Sequence, residues 1–183
     1  MPAHLGVFQP DRTIGRAHQI LRPVSPLFIA FSLFVATMLD LAPWGRMLGV
    51  PDWVAVVLVF WNMHQPRKVG IGVAFALGLI MDVHDAALLG EHALAFTLLS
   101  YGAITMHRRV TWLSPLVQIG YVFVLLVAAQ ATAMAVRIVA GDPFPGFWPL
   151  LDSVTGALIS PIVSWLLVVP QRRPVDRDAT RPL

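Results

Sequence analysis

The feature that most constrains this chain is a pair of long apolar runs without a charged residue. Residues 113–136 and 153–171 each continue for about 19 residues or more without Asp, Glu, Lys or Arg, which is the length of a helix that crosses a bilayer. The composition agrees, because 57% of the residues are apolar and 13% are charged, whereas soluble domains have roughly 45–50% and 25%. We therefore predict an all-α integral membrane protein.

Prolines, glycines and charged residues divide the chain into six predicted helices. These helices cover residues 24–41, 51–63, 69–83, 92–107, 114–139 and 147–169. The third and fourth are about 15 residues long, shorter than the roughly 20 needed to span a bilayer. Residues 86–89 between them therefore form a candidate re-entrant turn. We predict a six-helix transmembrane domain over residues 23–170, between an N-terminal tail, 1–22, and a C-terminal tail, 171–183.

The basic residues predict the orientation of these helices. If both termini are cytoplasmic, the inner segments hold eleven of the 13 Lys and Arg residues, and the outer segments hold only Arg46 and Arg137. This distribution satisfies the positive-inside rule, so we predict that both termini and both tails are cytoplasmic. No basic helix with interleaved aromatic residues is present, so the positive net charge of +3 does not indicate nucleic-acid binding.

The most specific pattern lies between residues 70 and 94. Small residues recur every four positions and end in a carboxylate, which on a helix makes one ridge of Gly70, Ala74, Gly78 and Asp82. We expect this ridge to pack inside the bundle; contact with a partner chain is the alternative. Asp82 is either a polar anchor between helices or subunits, or a helix-end aspartate among lipid headgroups.

The polar residues after this ridge do not predict a reaction. His84, Asp85, Glu91 and His92 are metal-ligand types, but their spacing matches no established zinc or calcium loop. We interpret Glu91 as a first-turn residue stabilised by the helix dipole. No nucleophile accompanies the carboxylates, and the chain has no cysteine. We predict no catalytic residue, cofactor or metal, and an ion pair between Arg137 and Asp152 at the outer ends of neighbouring helices.

Several motifs resemble one known family. They are Pro51-Asp52-Trp53, Phe60-Trp61, Pro66-Arg67, GLIMDV (78–83), LLGEHAL (88–94), and Ser160-Pro161 ahead of Gln171-Arg172-Arg173. The chain, from about residue 23 to residue 173, resembles the bacterial rod-shape-determining MreD family. With the ridge, the candidate helix-packing or partner-contact residues are Gly70, Ala74, Gly78, Asp82, Gly90, Glu91, His92, Pro51, Asp52, Trp61 and Pro66.

The resemblance implies a non-enzymatic, multi-pass subunit of the bacterial inner (plasma) membrane. Such a subunit would be a scaffold or regulator of the cell-elongation (rod) complex, supporting rod shape and lateral peptidoglycan synthesis. The implied partners are MreC, the MreB filament, RodA and the associated transpeptidase, together with membrane lipids. The family is also distantly similar to the six-helix substrate-binding subunits of vitamin importers, so a subunit of a small-molecule importer is the alternative.

Overall fold

The structure is a computed structural model that describes residues 25–43, 49–110, 114–144 and 146–171. Within these ranges it contains no strand and six helices: α1 Pro26–Asp40, α2 Trp53–His64, α3 Ile71–His84, α4 Glu91–Val110, α5 Pro115–Val139 and α6 Pro149–Val168, followed by a 3-10 turn, Val169–Gln171. The prediction of an all-α chain is confirmed. Several predicted features lie outside the described residues: the N-terminal tail, residues 172–183 of the C-terminal tail, Arg46 and most of the other basic residues used for the orientation.

Prolines and carboxylates define where the helices begin. Pro26, Pro115 and Pro149 each lie in the first turn of a helix, where the missing N–H would have no helical partner. Asp52 caps α2 through its Oδ1, which accepts a hydrogen bond from the N–H of Ala55 at 2.8 Å. The largest difference from the predicted boundaries is in α4, which has 20 residues and ends at Val110. The prediction ended this helix early because it placed a turn at Arg108 and Arg109, although arginine favours helix.

Helix α2 lies at the centre of the bundle. It contacts α1, α4, α5 and α6, and all residues from Val54 to Met63 are buried. A helix that is apolar on all sides is expected in a core. Two polar contacts also join it to its neighbours: the Trp61 indole N–H donates to the hydroxyl of Ser32 on α1 at 2.8 Å, and the Asn62 amide donates to Ser100 on α4 at 2.7 Å.

Two helical segments are long and apolar enough to cross a membrane. They are Pro115–Val139 and Pro149–Gln171, whereas α1, α2 and α3 are shorter apolar helices. The outer faces of α5 and α6 carry exposed large apolar side chains, among them Leu116, Val124, Leu158 and Ile162. Such continuous apolar exposure is unusual on a soluble monomer, so these faces suit contact with lipid.

The small-residue ridge of α3 packs against α4. Ala74, Gly78 and Asp82 are buried, and a Cβ atom added at Gly78 would overlap the backbone of His92 and Ala93. A Cβ atom at Gly70 would meet nothing within 4 Å. The close approach of α3 to α4 therefore depends on Gly78 and not on Gly70.

We expect Gly78→Ala to destabilise the protein, because the backbone of α4 cannot yield to the new methyl group; overpacking typically costs about 1–3 kcal/mol. The matched control is Gly72→Ala, whose Cβ would meet nothing within 4 Å on the same helix. Alanine is favoured over glycine inside a helix by roughly 0.5–1 kcal/mol, so this variant should be as stable as the parent or more so. Thermal unfolding of the purified variants in detergent measures both effects. Equal stability of the two variants would contradict the close approach.

Candidate functional site

Carboxylates gather at one end of the bundle, where α1, α3 and α5 end and α2, α4 and α6 begin. Every Asp and Glu among the described residues lies there: Asp40, Asp52, Asp82, Asp85, Glu91, Asp142 and Asp152. We call this the acidic end. Among the described Lys and Arg residues, Arg137 belongs to the acidic end. Arg67 and Lys68 lie in the α2–α3 turn, and Arg108 and Arg109 lie near the end of α4, both at the opposite end of the bundle.

Asp82 joins the end of α3 to the start of α4. Its side chain is fully buried, and its two carboxylate oxygens accept hydrogen bonds from the N–H groups of Gly90 and His92, both at 2.7 Å. The first N–H groups of a helix have no acceptor within the helix. The carboxylate of Asp82 is such an acceptor from outside α4. Gly90 has a φ of +106° in the turn that makes this possible, a conformation that glycine adopts without strain.

His92 lies between two carboxylates. Its Nδ1 is 3.0 Å from Oδ1 of Asp82, and its Nε2 is 3.9 Å from Oδ2 of the half-exposed Asp85. The Nε2 atom of His84 is 4.0 Å from the other oxygen of Asp85. These side chains form a polar cluster around the α3–α4 turn. Across the described part of the chain, no group of three or more His, Asp and Glu side chains is arranged to hold a metal ion.

Glu91 and Arg137 form an ion pair between α4 and α5. Glu91 is 1% exposed, and the guanidinium Nε of Arg137 lies 2.5 Å from its Oε1. Arg137 is 37% exposed, so the buried member of the pair is the carboxylate. Removing Arg137 would leave that carboxylate without a counterion, and a buried charge without a partner typically costs about 3–5 kcal/mol. The pair is therefore a strong positional constraint on these two helix ends.

The ion pair predicted between Arg137 and Asp152 is corrected by this geometry. Arg137 pairs with Glu91, and Oδ1 of Asp152 instead accepts a hydrogen bond from the N–H of Gly49 at 3.0 Å. The prediction paired Arg137 with a carboxylate of the helix that follows α5 and left out Glu91 of α4, the helix that precedes α5 and also contacts it.

Two carboxyl groups meet at the start of α2. Asp40 accepts hydrogen bonds from the N–H groups of Trp53 at 3.0 Å and Val54 at 2.8 Å, and its side chain also interacts with Asp52. Sequence reasoning placed Asp52 at this helix start but missed Asp40. One signal in the sequence could have indicated a role for Asp40. It is an aspartate at a helix C-terminus, where the helix dipole disfavours a negative charge.

The remaining predicted residues lie apart from this cluster. Trp61 is in the core, and Pro66 and Gly70 flank the α2–α3 turn at the opposite end. Pro51 is buried at the acidic end. A Cβ atom added at Gly156 of α6 would lie 3.8 Å from the Cβ of Pro51. The groups at the acidic end are engaged as helix caps and as an ion pair. This arrangement fixes helix ends relative to one another.

An all-α bundle with two helices long and apolar enough to cross a membrane is typical of a helical membrane protein. The family model of the rod shape-determining protein MreD matches residues 21–168, and the chain belongs to this family, which confirms the resemblance seen in the motifs. The Rod shape-determining protein MreD of Haemophilus influenzae is 34% identical over 105 residues. These residues make up 54% of this chain and 65% of that protein, just under two thirds of its length. No solved structure matches the chain.

We expect the parent with Asp82 to be the most stable protein, Asp82→Asn to be less stable and Asp82→Leu to be the least stable. Asp82→Asn keeps one oxygen acceptor for the N–H groups of Gly90 and His92, whereas Asp82→Leu keeps none, and each unsatisfied buried donor costs about 1–3 kcal/mol. Amide hydrogen exchange at residues 90–93 should accelerate in the same order.

The control for this series is Asp85→Asn, because Asp85 is half exposed and no backbone N–H of the described residues donates to its side chain. Its exchange at residues 90–93 should match the parent. Parent-like exchange in Asp82→Leu would show that Asp82 does not hold the start of α4.

Proposed function

We propose that this chain is a non-enzymatic, multi-pass subunit of the bacterial inner membrane, acting in the cell-elongation complex (elongasome). The observation that carries the proposal is the family match over residues 21–168, which includes all of the acidic end. Membership suggests a role in rod shape determination. The engagement of the buried carboxylates with helix ends supports a scaffold or regulator of peptidoglycan synthesis.

We further propose that all six helices cross the membrane with both termini in the cytoplasm. The acidic end then faces the periplasm, and the α2–α3 turn with Arg67 and Lys68 faces the cytoplasm. Two observations support this orientation: the described carboxylates share one end of the bundle, and the described basic residues other than Arg137 lie at the other. The positive-inside rule gives the same orientation.

Cysteine labelling tests this topology, because the parent chain contains no cysteine. Asp85→Cys should react with a membrane-impermeant thiol reagent in intact cells, whereas Asp11→Cys and Asp178→Cys should react only after the membrane is permeabilised. Reaction at position 11 or 178 in intact cells, with none at position 85, would reverse the proposed orientation.

We propose MreC, the MreB filament, RodA and the associated transpeptidase as the partners. The exposed apolar side chains of α3, which include Ile71, Phe75 and Ile80, leave a helix face available to lipid or to partner helices. In a membrane such contacts depend on van der Waals packing between helices.

The function is tested in the native host after deletion of the gene for this chain. The parent chain should restore rod shape and co-purify with MreC. Gly78→Leu should give rounded cells and lose MreC, because the α3–α4 hairpin cannot close around a leucine. Gly72→Leu is the matched control, since position 72 is exposed on the same helix, and it should behave like the parent. Rounded cells with the parent chain at normal membrane levels would contradict the proposed function.

One apolar groove of the bundle gives little support to the importer alternative. A groove of about 420 Å³ between α1, α2 and α6 is lined by apolar side chains and by Ser32. The Ser32 hydroxyl already donates to the carbonyl of Ile29 and accepts from Trp61. Ligand sites usually combine such an apolar wall with several convergent polar groups. A stoichiometric small ligand in the native mass spectrum of the purified chain, with unchanged MreC binding in Gly78→Leu, would favour the importer.

A further inference from the structure

A small cavity lies inside the acidic end, between α2, α4, α5 and α6. Its volume open to a water-sized sphere is about 10 Å³, which is close to the space that a single water molecule needs. Apolar side chains form much of its wall. Its polar lining residues are Asp52, His92, Gln130, Asp152 and Ser153.

Ser153 is the unusual member of this lining. It is 2% exposed, and its hydroxyl has no hydrogen-bond partner among the described residues. A buried hydroxyl without a partner is unfavourable, and most such groups in proteins bond to protein or to an ordered water. Ser160 of the same helix, by contrast, donates its hydroxyl to the carbonyl of Ala157 at 2.7 Å.

The carboxylates of the cavity can complement this hydroxyl through a bridging molecule. Asp52 and Asp152 each use Oδ1 to accept one backbone N–H, from Ala55 and Gly49 respectively. Asp52 also interacts with Asp40, but a carboxyl group has about four lone-pair sites, so both side chains retain acceptor capacity. His92 binds Asp82 through its Nδ1. Ser153 is the unpartnered donor of the lining and the two carboxylates are acceptors, so a bridging molecule can join these three groups.

We propose that one ordered water molecule binds in this cavity. It accepts a hydrogen bond from the Ser153 hydroxyl and donates to the carboxylates of Asp52 and Asp152. A buried water typically makes two to four such bonds. The water thereby joins the start of α6 to the start of α2. The family assignment does not provide this link, and the water site does not depend on the proposed function.

The sign of the stability change in Ser153→Ala tests the proposal. If the hydroxyl binds a water that bridges to the carboxylates, its removal should lower the unfolding midpoint of the purified protein in detergent by about 2–4 °C, the shift expected for one net hydrogen bond in a chain of this size. If the hydroxyl has no partner, replacing it by alanine removes an unsatisfied polar group and should raise the midpoint. A raised midpoint would overturn the proposal.

A second measurement uses the parent chain, so it does not depend on a variant that folds. Water-edited solid-state NMR of the protein in lipid should show rapid polarisation transfer from water to the Cβ of Ser153, although this residue is buried. Ser160, buried on the same helix with its hydroxyl bonded to the backbone, is the internal control and should receive polarisation slowly. Equally slow transfer to both serines would overturn the proposal.

A comparison of salts distinguishes water from a bound cation, which would use the same oxygen ligands. The unfolding midpoint of the parent should be equal in sodium chloride and in choline chloride at the same ionic strength. A rise specific to sodium that is lost in Ser153→Ala would assign the cavity to a cation and overturn the assignment to water.

Discussion

The bundle depends on carboxylates that lie outside one helix and satisfy the free N–H groups at its start. Asp82, near the end of α3, accepts from Gly90 and His92 at the start of α4, and Asp40, at the end of α1, accepts from Trp53 and Val54 at the start of α2. Water satisfies such groups on a soluble protein. In apolar surroundings each one left unpaired costs several kcal/mol, so these two links fix which helix end lies beside which.

Burial and polar links determine different aspects of the fold. Burial around α2 brings α1, α4, α5 and α6 together. The hydrophobic effect has no direction, however, so it does not determine how far one helix is shifted along its axis relative to the next. The polar links do determine this shift, because each joins a particular residue on one element to a particular residue on another. The Glu91–Arg137 pair does this for α4 and α5, and the contact of Asp152 with Gly49 does it for α6 and the segment before α2.

The sequence predicted the helices well because their determinants are local. Prolines 26, 115 and 149 lie at helix starts, and the long apolar runs coincide with α5 and α6. Within the acidic end, Asp82 and Asp52 could be singled out from their neighbours in the chain. The Asp40 contact and the Glu91–Arg137 pair could not, because their partners are 13 and 46 residues apart. Periodicity shows which face of a helix is apolar but not which helix lies against that face.

The helices differ greatly in length. At about 1.5 Å per residue, the 14 residues of α3 extend for about 21 Å and the 25 residues of α5 for about 37 Å, whereas the hydrocarbon core of a bilayer is about 30 Å thick. In the proposed arrangement the apolar surface of the bundle is short along the membrane normal at α3 and long at α5. Lipids beside α3 would have to compress while α5 tilts, at a cost of fractions of a kcal/mol per ångström of mismatch. In that arrangement the surrounding bilayer would be thinner beside α3 than beside α5, which would favour neighbouring membrane proteins with short spans beside α3.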